Sequence, residues 1–307
     1  MKIKNAIVNG SLGTIGIALV DRLLKQGIEK VYAVVFPGDP RIAKIPEGAI
    51  VVPCDMREIG KLTEFIPDAD AFFHLAWAGT IGEGRDDMLL QTQNIKCAIE
   101  AAQTAGKLGC QIFIGVGSQA EHGRIEGKVT ATTPCFPTNG YGMAKLCAGQ
   151  MTKVICQQLG IRHEWARVLS VFGVNDGPLS VMNIILSKLT SGEKPALTLG
   201  EQMWDYIYAD DAADALICIA KNGKNGKIYP IGSGRVRPLR EYFEILRDMI
   251  DPALPLGIGE LPYAPNQVMH LEADITELTA DTGFRPQYTF EDAAKIVVHE
   301  FQRRKGL

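Results

Sequence analysis

The sequence predicts a doubly wound α/β fold, a parallel sheet with helices on both faces, joined to a smaller C-terminal lobe. Three observations carry this expectation. In the first half, short β-branched runs alternate with longer helical patterns, the signature of βαβ units. A glycine-spaced segment, Gly10-Ser-Leu-Gly13-Thr-Ile-Gly16, falls between the first strand pattern and the first helix pattern. The 307 residues, 46% hydrophobic and 22% charged, suffice for one large lobe and a companion, and exclude a disordered scaffold.

Residues 3–9 read as the first strand and 15–26 as the helix behind it. Residues 31–36, 50–53, 71–75, 111–116 and 163–169 supply five more strands, spaced to leave room for crossovers, so six parallel strands are expected. The two longest helical patterns, 88–106 and 141–159, are rich in Ala, Cys and Met and poor in charge, which predicts burial on more than one face. After Gly173 the character changes: Asn175-Asp-Gly-Pro is a loop and prolines recur from Pro178 to Pro286, predicting a smaller, loop-rich lobe. A helix pattern at 209–220 and a short strand at 228–231 predict that the chain returns to the first lobe.

Charge and cysteine usage narrow the classes. Lys+Arg of 32 against Asp+Glu of 35, with no long basic run, makes nucleic acid an unexpected ligand. Seven scattered cysteines, never spaced C-x-x-C, predict neither a metal cluster nor a disulfide framework, and fit a reducing cytoplasm. Asn5, Asn9, Ser11 and Asp21 interrupt any signal peptide after Met1-Lys-Ile-Lys, and no window reaches the ~18 apolar residues of a membrane span. A soluble, cytoplasmic protein is expected.

The chemistry-bearing residues follow. Gly10, Gly13 and Gly16 sit where backbone amides at a helix N-terminus can meet a pyrophosphate. Asp55, at the end of the third strand in Cys54-Asp55-Met56, can accept from an adenine amine or cap a turn. At the end of the second strand Phe36 stands where NAD sites carry a ribose-binding carboxylate, and Arg41 or Lys44 can pair with a 2′-phosphate. This favours NADP(H), with NAD(H) open. Tyr141 and Lys145 lie four residues apart on one helix face, within roughly 6 Å. The ammonium, together with the charge of an oxidised nicotinamide, is expected to lower the phenol pKa from ~10 towards ~7, about 4 kcal/mol, making Tyr141 a general acid or base. Ser118 ends a strand at the carboxyl edge of the sheet, where ligands of such folds bind, and can hydrogen-bond a substrate oxygen.

In this order and spacing these residues resemble the extended short-chain dehydrogenase/reductase family of NAD-dependent epimerase/dehydratase type, which acts on nucleotide sugars over a Rossmann fold. The resemblance runs nearly end to end: His74-Leu-Ala-Trp77 looks like the segment lining the cofactor, and Asn94 matches an asparagine of the long central helix. Arg167-Val-Leu-Ser-Val-Phe-Gly173 resembles R-x-x-N-V-Y-G with Ser170 for Asn, and Trp204-Asp-Tyr-Ile-Tyr-Ala-Asp210 resembles R-D-F-I-H-V-x-D. Asp274 and Gly283-Phe-Arg-Pro286 resemble its C-terminal end.

The resemblance implies that Ser118 polarises a sugar oxygen, Tyr141 exchanges a proton with it, and Lys145 holds the nicotinamide ribose. It implies a cofactor site of Gly10, Leu12, Gly13, Thr14, Ile15, Gly16, Arg41, Asp55, Met56, Leu75, Ala76, Trp77, Asn94, Val168 and Val171, besides Tyr141 and Lys145. Substrate contacts are expected at Gly79, Ser118, Gln119, Tyr141, Ser170 and Arg237. Arg85, Arg124, Arg237 and Arg240 are candidates for a substrate diphosphate. The implied organisation is a dinucleotide-binding domain over 1–173, revisited at about 206–231, and a mainly substrate-binding lobe over 174–307. The two long helices further imply a homodimer through a four-helix contact.

Departures from the family select among its activities. Gln119 and Ala120 follow Ser118 where dehydratases carry Asp-Glu, and Glu121 is expected to face away on an extended segment. His122 is expected to pack rather than catalyse. Gly-Ser-Gln-Ala-Glu-His-Gly resembles the corresponding segment of 4-ketoreductases such as CDP-abequose and CDP-paratose synthases. Reduction of a nucleotide-linked 4-keto-6-deoxyhexose is therefore expected, with a 4-epimerase retaining NAD as the alternative and a non-catalytic NADP(H) sensor as a distant third.

Overall fold

The computed structural model describes residues 2–125, 127–265 and 267–306. Met1 and Leu307, the outer bounds of the two expected domains, lie outside the described residues. The first half runs β1 (Asn5–Asn9), α1 (Thr14–Lys25), β2 (Lys30–Val35), β3 (Ile50–Pro53), α2 (Leu62–Phe65), β4 (Ala71–His74), α3 (Met88–Lys107), β5 (Ile112–Ser118), β6 (Lys128–Val129) and α4 (Gly140–Leu159). It continues through β7 (Arg162–Val168), β8 (Ser170–Phe172), α5 (Val181–Thr190), β9 (Met203–Trp204), β10 (Tyr206–Tyr208), α6 (Ala209–Asn222) and β11 (Ile228–Ile231). The last part holds β12 (Arg237–Pro238), α7 (Leu239–Ile250), β13 (His270–Ala273), α8 (Thr276–Thr282) and α9 (Phe290–Lys305).

Among the described residues one all-parallel sheet has seven strands in the order β11-β7-β5-β4-β1-β2-β3. The six expected strands are present within one or two residues of their predicted ends, and the 228–231 segment adds the seventh at one edge. The order reverses between β1 and β4, so two successive crossovers leave in opposite directions and open a crevice at the carboxyl ends of these strands.

The inner strands are covered on both faces, as their continuous apolar composition requires, whereas the edge strand β3 leaves Ile50 and Val51 exposed. In β1, Ala6 and Val8 join Leu19, Leu23, Ala212 and Leu216 of α1 and α6 on one face. Ile7, pointing oppositely, joins Phe72, Phe113, Ala101 and Ala105 on the other. Small residues of α3 and α4 are buried, among them Ala98 and Ala148, while Met143, Met151, Val154 and Leu159 remain exposed along α4. No helix among the described residues is long and apolar enough to cross a membrane.

The second lobe is more ordered than its prolines predict. A third core packs α5, α7 and α9 around Phe172, Tyr242 and Phe290, and a sheet β12-β9-β13-β6 stands beside it. Prolines here sit at ends and edges: Pro238 occupies the N-cap of α7, and Pro230 lies within the edge strand β11.

A buried ion pair ties β7 to the turn that follows β5: the Arg167 guanidinium lies 2.8 Å from the Glu121 carboxylate, both essentially inaccessible to water. Replacing Arg167 by Met should strand that carboxylate and lower unfolding stability by about 3–5 kcal/mol. Urea unfolding of the variant beside the parent protein measures the loss.

Candidate active site

The turn between β1 and α1 is built by two glycines and left open by a third. Gly10 adopts φ +94°, and a Cβ there would stand 2.5 Å from the Ala76 nitrogen. A Cβ on Gly16 would fall 2.2 Å from the Gly10 carbonyl oxygen, so helix and turn approach this closely only without one. Gly13, the N-cap of α1, has nothing nearer than an ordinary contact at 3.6 Å and lines a cleft. No side chain caps this helix, leaving its first-turn N–H groups for an anion.

The cleft measures about 710 Å³ and is lined by Gly10, Leu12, Gly13, Leu75, Ala76 and Trp77. Its volume suits a large small-molecule ligand, and the uncapped helix end suits a pyrophosphate, so the residues present fit a dinucleotide. Thr14, Ile15 and Gly16 are not among the residues lining the cleft, but their N–H groups are those of the uncapped first turn. The Thr14 hydroxyl donates to the Asn175 carbonyl, Ile15 packs on the sheet core and Gly16 is consumed by the close approach.

At the far end of the cleft stand Phe36, Asp39, Arg41, Asp55, Met56 and Arg57. Arg41, one of the two candidates for a 2′-phosphate, is already paired: its Nε and Nη2 donate to both oxygens of Asp39, at 3.0 and 2.6 Å. Asp55 likewise caps the turn that Met56 begins and holds Arg57 through two hydrogen bonds of 3.1 and 2.5 Å. Both carboxylates are pulled below their ordinary pKa, mainly by the arginine hydrogen bonds. Arg57 was missed, although the repeated spacing Asp-x-Arg after two successive strands marks it.

Behind Trp77, which lines the cleft, stand Tyr141, its ring edge-on to the indole with centroids 6.3 Å apart, and Lys145. Asn139 caps α4 by accepting from the Gly142 N–H, which sets Tyr141 in the first turn. The Ser118 hydroxyl accepts from the Ala120 N–H at 3.2 Å and acts on the Tyr141 hydroxyl, favouring its ionised form. Lys145, one turn on, donates to the Val116 carbonyl at 2.7 Å; its Nζ lies 3.8 Å from the Trp77 ring centroid and 5.9 Å from that of Tyr141. The expected lowering of the phenol pKa by Lys145 is not found. Burial pushes Tyr141 up, opposed by the Ser118 hydrogen bond and by the charge of Arg85. Burial also lowers Lys145 to about 7, so this amine is a weak source of positive charge.

Glu121 cannot serve as an elimination acid, for a different reason from the one expected. Residues 119–122 form a 3-10 turn rather than an extended segment, with Gln119 at its first position. The Glu121 carboxylate is fully buried and accepts from Ser118 N–H, Trp165 Nε1 and Arg167 Nε. His122 packs as expected, its ring between the Pro134 carbonyl and Arg167.

Asn94 clamps the backbone of Ala78 by accepting from its N–H at 3.0 Å and donating to its carbonyl at 2.9 Å. Gln91, unnoticed in the sequence though one turn before Asn94, accepts from Trp77 Nε1 and donates to the carbonyls of Gly79 and Gly84. Val168 is core, paired in register with Ser118, and Val171 is half-buried in β8. Ser170 and Arg237 are both engaged: the Ser170 hydroxyl accepts from Trp204 Nε1, and Arg237 pairs with Glu291 at 2.5 Å beside a separate small cavity. Arg240 pairs with Glu244.

A sequence model of the NAD dependent epimerase/dehydratase family matches residues 6–232. The chain belongs to that enzyme family. The chain is 27% identical to dTDP-6-deoxy-L-talose 4-dehydrogenase (NAD(+)) of Aggregatibacter actinomycetemcomitans, over 78% of this chain and 88% of that one. It is 21% identical to CDP-abequose synthase of Salmonella muenchen, over 95% and 96%. To a dTDP-glucose 4,6-dehydratase of Xanthomonas campestris it is 22% identical over 61% of this chain, spanning only 56% of that protein. The fold is that of the solved UDP-N-acetylglucosamine 4-epimerase from Methanobrevibacter ruminantium, with TM-score 0.89, 24% identity and coverage of 99% and 100%.

For this member, Lys145 gives a pH test. Between about pH 7 and the ordinary value of 10.5 the unfolded chain holds a proton that folded Lys145 lacks. Its contribution to stability therefore rises with pH across that window and is constant below it, with a limiting slope of about 1.4 kcal/mol per pH unit. Lys145→Met should flatten the stability–pH curve there, as read by denaturant unfolding at several pH values.

Proposed function

We propose that this family member reduces the 4-keto group of a nucleotide-linked 4-keto-6-deoxyhexose. The observation that carries the reading is Tyr141, with Ser118 acting on its hydroxyl, packed edge-on against Trp77 of a cleft that fits a dinucleotide, with Glu121 withdrawn from chemistry. A bound nicotinamide supplies the hydride. Tyr141 gives its phenolic proton to the C4 oxygen as that oxygen gains charge, and its raised pKa keeps the proton in place until then. Ser118, anchored through its N–H to Glu121, holds the same oxygen by its hydroxyl. Lys145, in contact with Trp77, backs the nicotinamide ribose.

NADP(H) is the preferred carrier in this reading. Phe36 takes the place of a ribose carboxylate, and two guanidinium groups, Arg41 and Arg57, border that end of the cleft. Exposed Met143, Met151, Val154 and Leu159 on α4 support a homodimer through the long helices, and the seven unpaired cysteines suit a reducing cytoplasm.

The test is the dinucleotide released on denaturing the purified protein, with the affinities of the emptied protein for NADH and NADPH. An empty site preferring NADPH, and turnover of 4-keto sugar nucleotides, is the expected result. Near-stoichiometric retained NAD overturns the reductase in favour of a 4-epimerase. Tyr141→Phe should lower turnover by about 10²-fold or more with dinucleotide binding intact; a sensor's response would be unchanged.

A further inference from the structure

We propose that Arg85 is a positioning residue for Tyr141: its guanidinium, seated on the phenol face, fixes the ring and favours the ionised form of the hydroxyl. The inference deepens the reading above and rests on Tyr141 exchanging the proton. The sequence offered Arg85 as a diphosphate ligand. The structure instead places its Cζ 4.4 Å from the Tyr141 ring centroid, inside the range of a cation–π contact.

The segment carrying Arg85 is fastened to the helix carrying Tyr141. Arg85 Nη1 donates to the Thr80 carbonyl at 3.0 Å, which fixes the guanidinium. Asp86 accepts from the Gly140 N–H at 2.9 Å, one residue before Tyr141. Gly140 itself permits the approach, since a Cβ there would stand 3.0 Å from the Arg85 carbonyl oxygen. Gln91 closes the loop from within by donating to Gly79 and Gly84, and Asp87 caps α3 behind it. A surface arginine awaiting a ligand needs none of these ties.

The charges facing Tyr141 come from every packed element. Arg85 and Asp86 belong to the loop before α3, Glu121 to the turn after β5 and Lys145 to α4, while His74 at the end of β4 faces Lys145. Arg167 offsets Glu121, and Asp86 is spent on the Gly140 amide. Burial drives His74 down to about 3, so it is neutral, and Lys145 loses its charge above about pH 7. The Arg85 guanidinium also stands nearer the phenol ring than the Lys145 ammonium, at 4.4 Å against 5.9 Å from its centroid.

The experiment compares the parent protein, Arg85→Met, Arg85→Lys and Tyr141→Phe, each labelled with ¹³Cζ-tyrosine and titrated by NMR across the alkaline range. The resonance missing from Tyr141→Phe assigns the residue. Arg85→Met should lower the Tyr141 ionisation constant about tenfold, and Arg85→Lys should restore most of it. Arg85→Gln, which keeps a donor for Thr80, is the second neutral variant if Arg85→Met does not fold. With substrate, the alkaline limb of kcat should move the same way while KM stays within twofold of the parent, on the order of a null change. An unchanged Tyr141 titration in the neutral variant overturns the inference, as does a rise in KM alone, which makes Arg85 a substrate ligand. The titration needs no substrate, so absence of turnover with every nucleotide sugar would sink the functional reading and leave this one standing.

Discussion

The buried carboxylate of Glu121 is the contact on which the catalytic edge depends. It receives the Ser118 N–H at 2.7 Å, Trp165 Nε1 at 3.0 Å and the Arg167 guanidinium at 2.8 Å. An ionised group this deep in the protein is tolerated only when each lone pair is met. The sequence around it follows from that demand. Trp165 reaches Glu121 by lying across β5, where a Cβ on Gly115 would be 2.2 Å from its ring and one on Gly117 equally close. Gly149 of α4 yields to the same indole. The glycines of this strand thus serve an aromatic neighbour, and through it the seat of Ser118.

Around the Ser118–Tyr141 pair, desolvation governs the charges. It raises the phenol and lowers the amine, so both neutral forms are favoured near pH 8. A phenol that holds its proton suits an acid in a reduction, where the proton is needed as the oxygen gains charge. The same burial makes Lys145 a structural donor to Val116 and a partner of Trp77 before it is anything else.

The fold was legible because its signals are local. The strand runs, the glycine turn and the Tyr-x-x-x-Lys spacing each lie within a few residues, and periodicity reads such patterns directly. What escaped depends on partners far along the chain. Glu121 was set aside on an assumed extended backbone, whereas its partners Trp165 and Arg167 lie more than 40 residues away and a capping box with Ser118 winds the segment into a turn. The effect of Lys145 on Tyr141 was misjudged because spacing fixes proximity but carries no information about burial. The order of the second lobe was hidden because α5, α7 and α9 are held by one another's aromatic faces rather than by any one segment.

Most cations proposed for ligand binding are already paired: Arg41 with Asp39, Arg57 with Asp55 and Arg237 with Glu291. Pairing does not remove them from recognition. These side chains are partly exposed, and exposed ion pairs contribute about 0–1 kcal/mol, whereas a phosphate meets a guanidinium through two charge-assisted bonds at once. Exchange of carboxylate for phosphate therefore costs little, and the displaced Asp39 and Asp55 keep their backbone bonds to Arg41 N and Arg57 N. The turns survive the exchange. A resident carboxylate also raises the threshold for weak anions, because only a ligand that outbids it gains the arginine. For a phosphate-bearing ligand at this end of the cleft, selectivity would then arise from competition between two anions for one guanidinium, a property of the pair that neither residue type alone reveals.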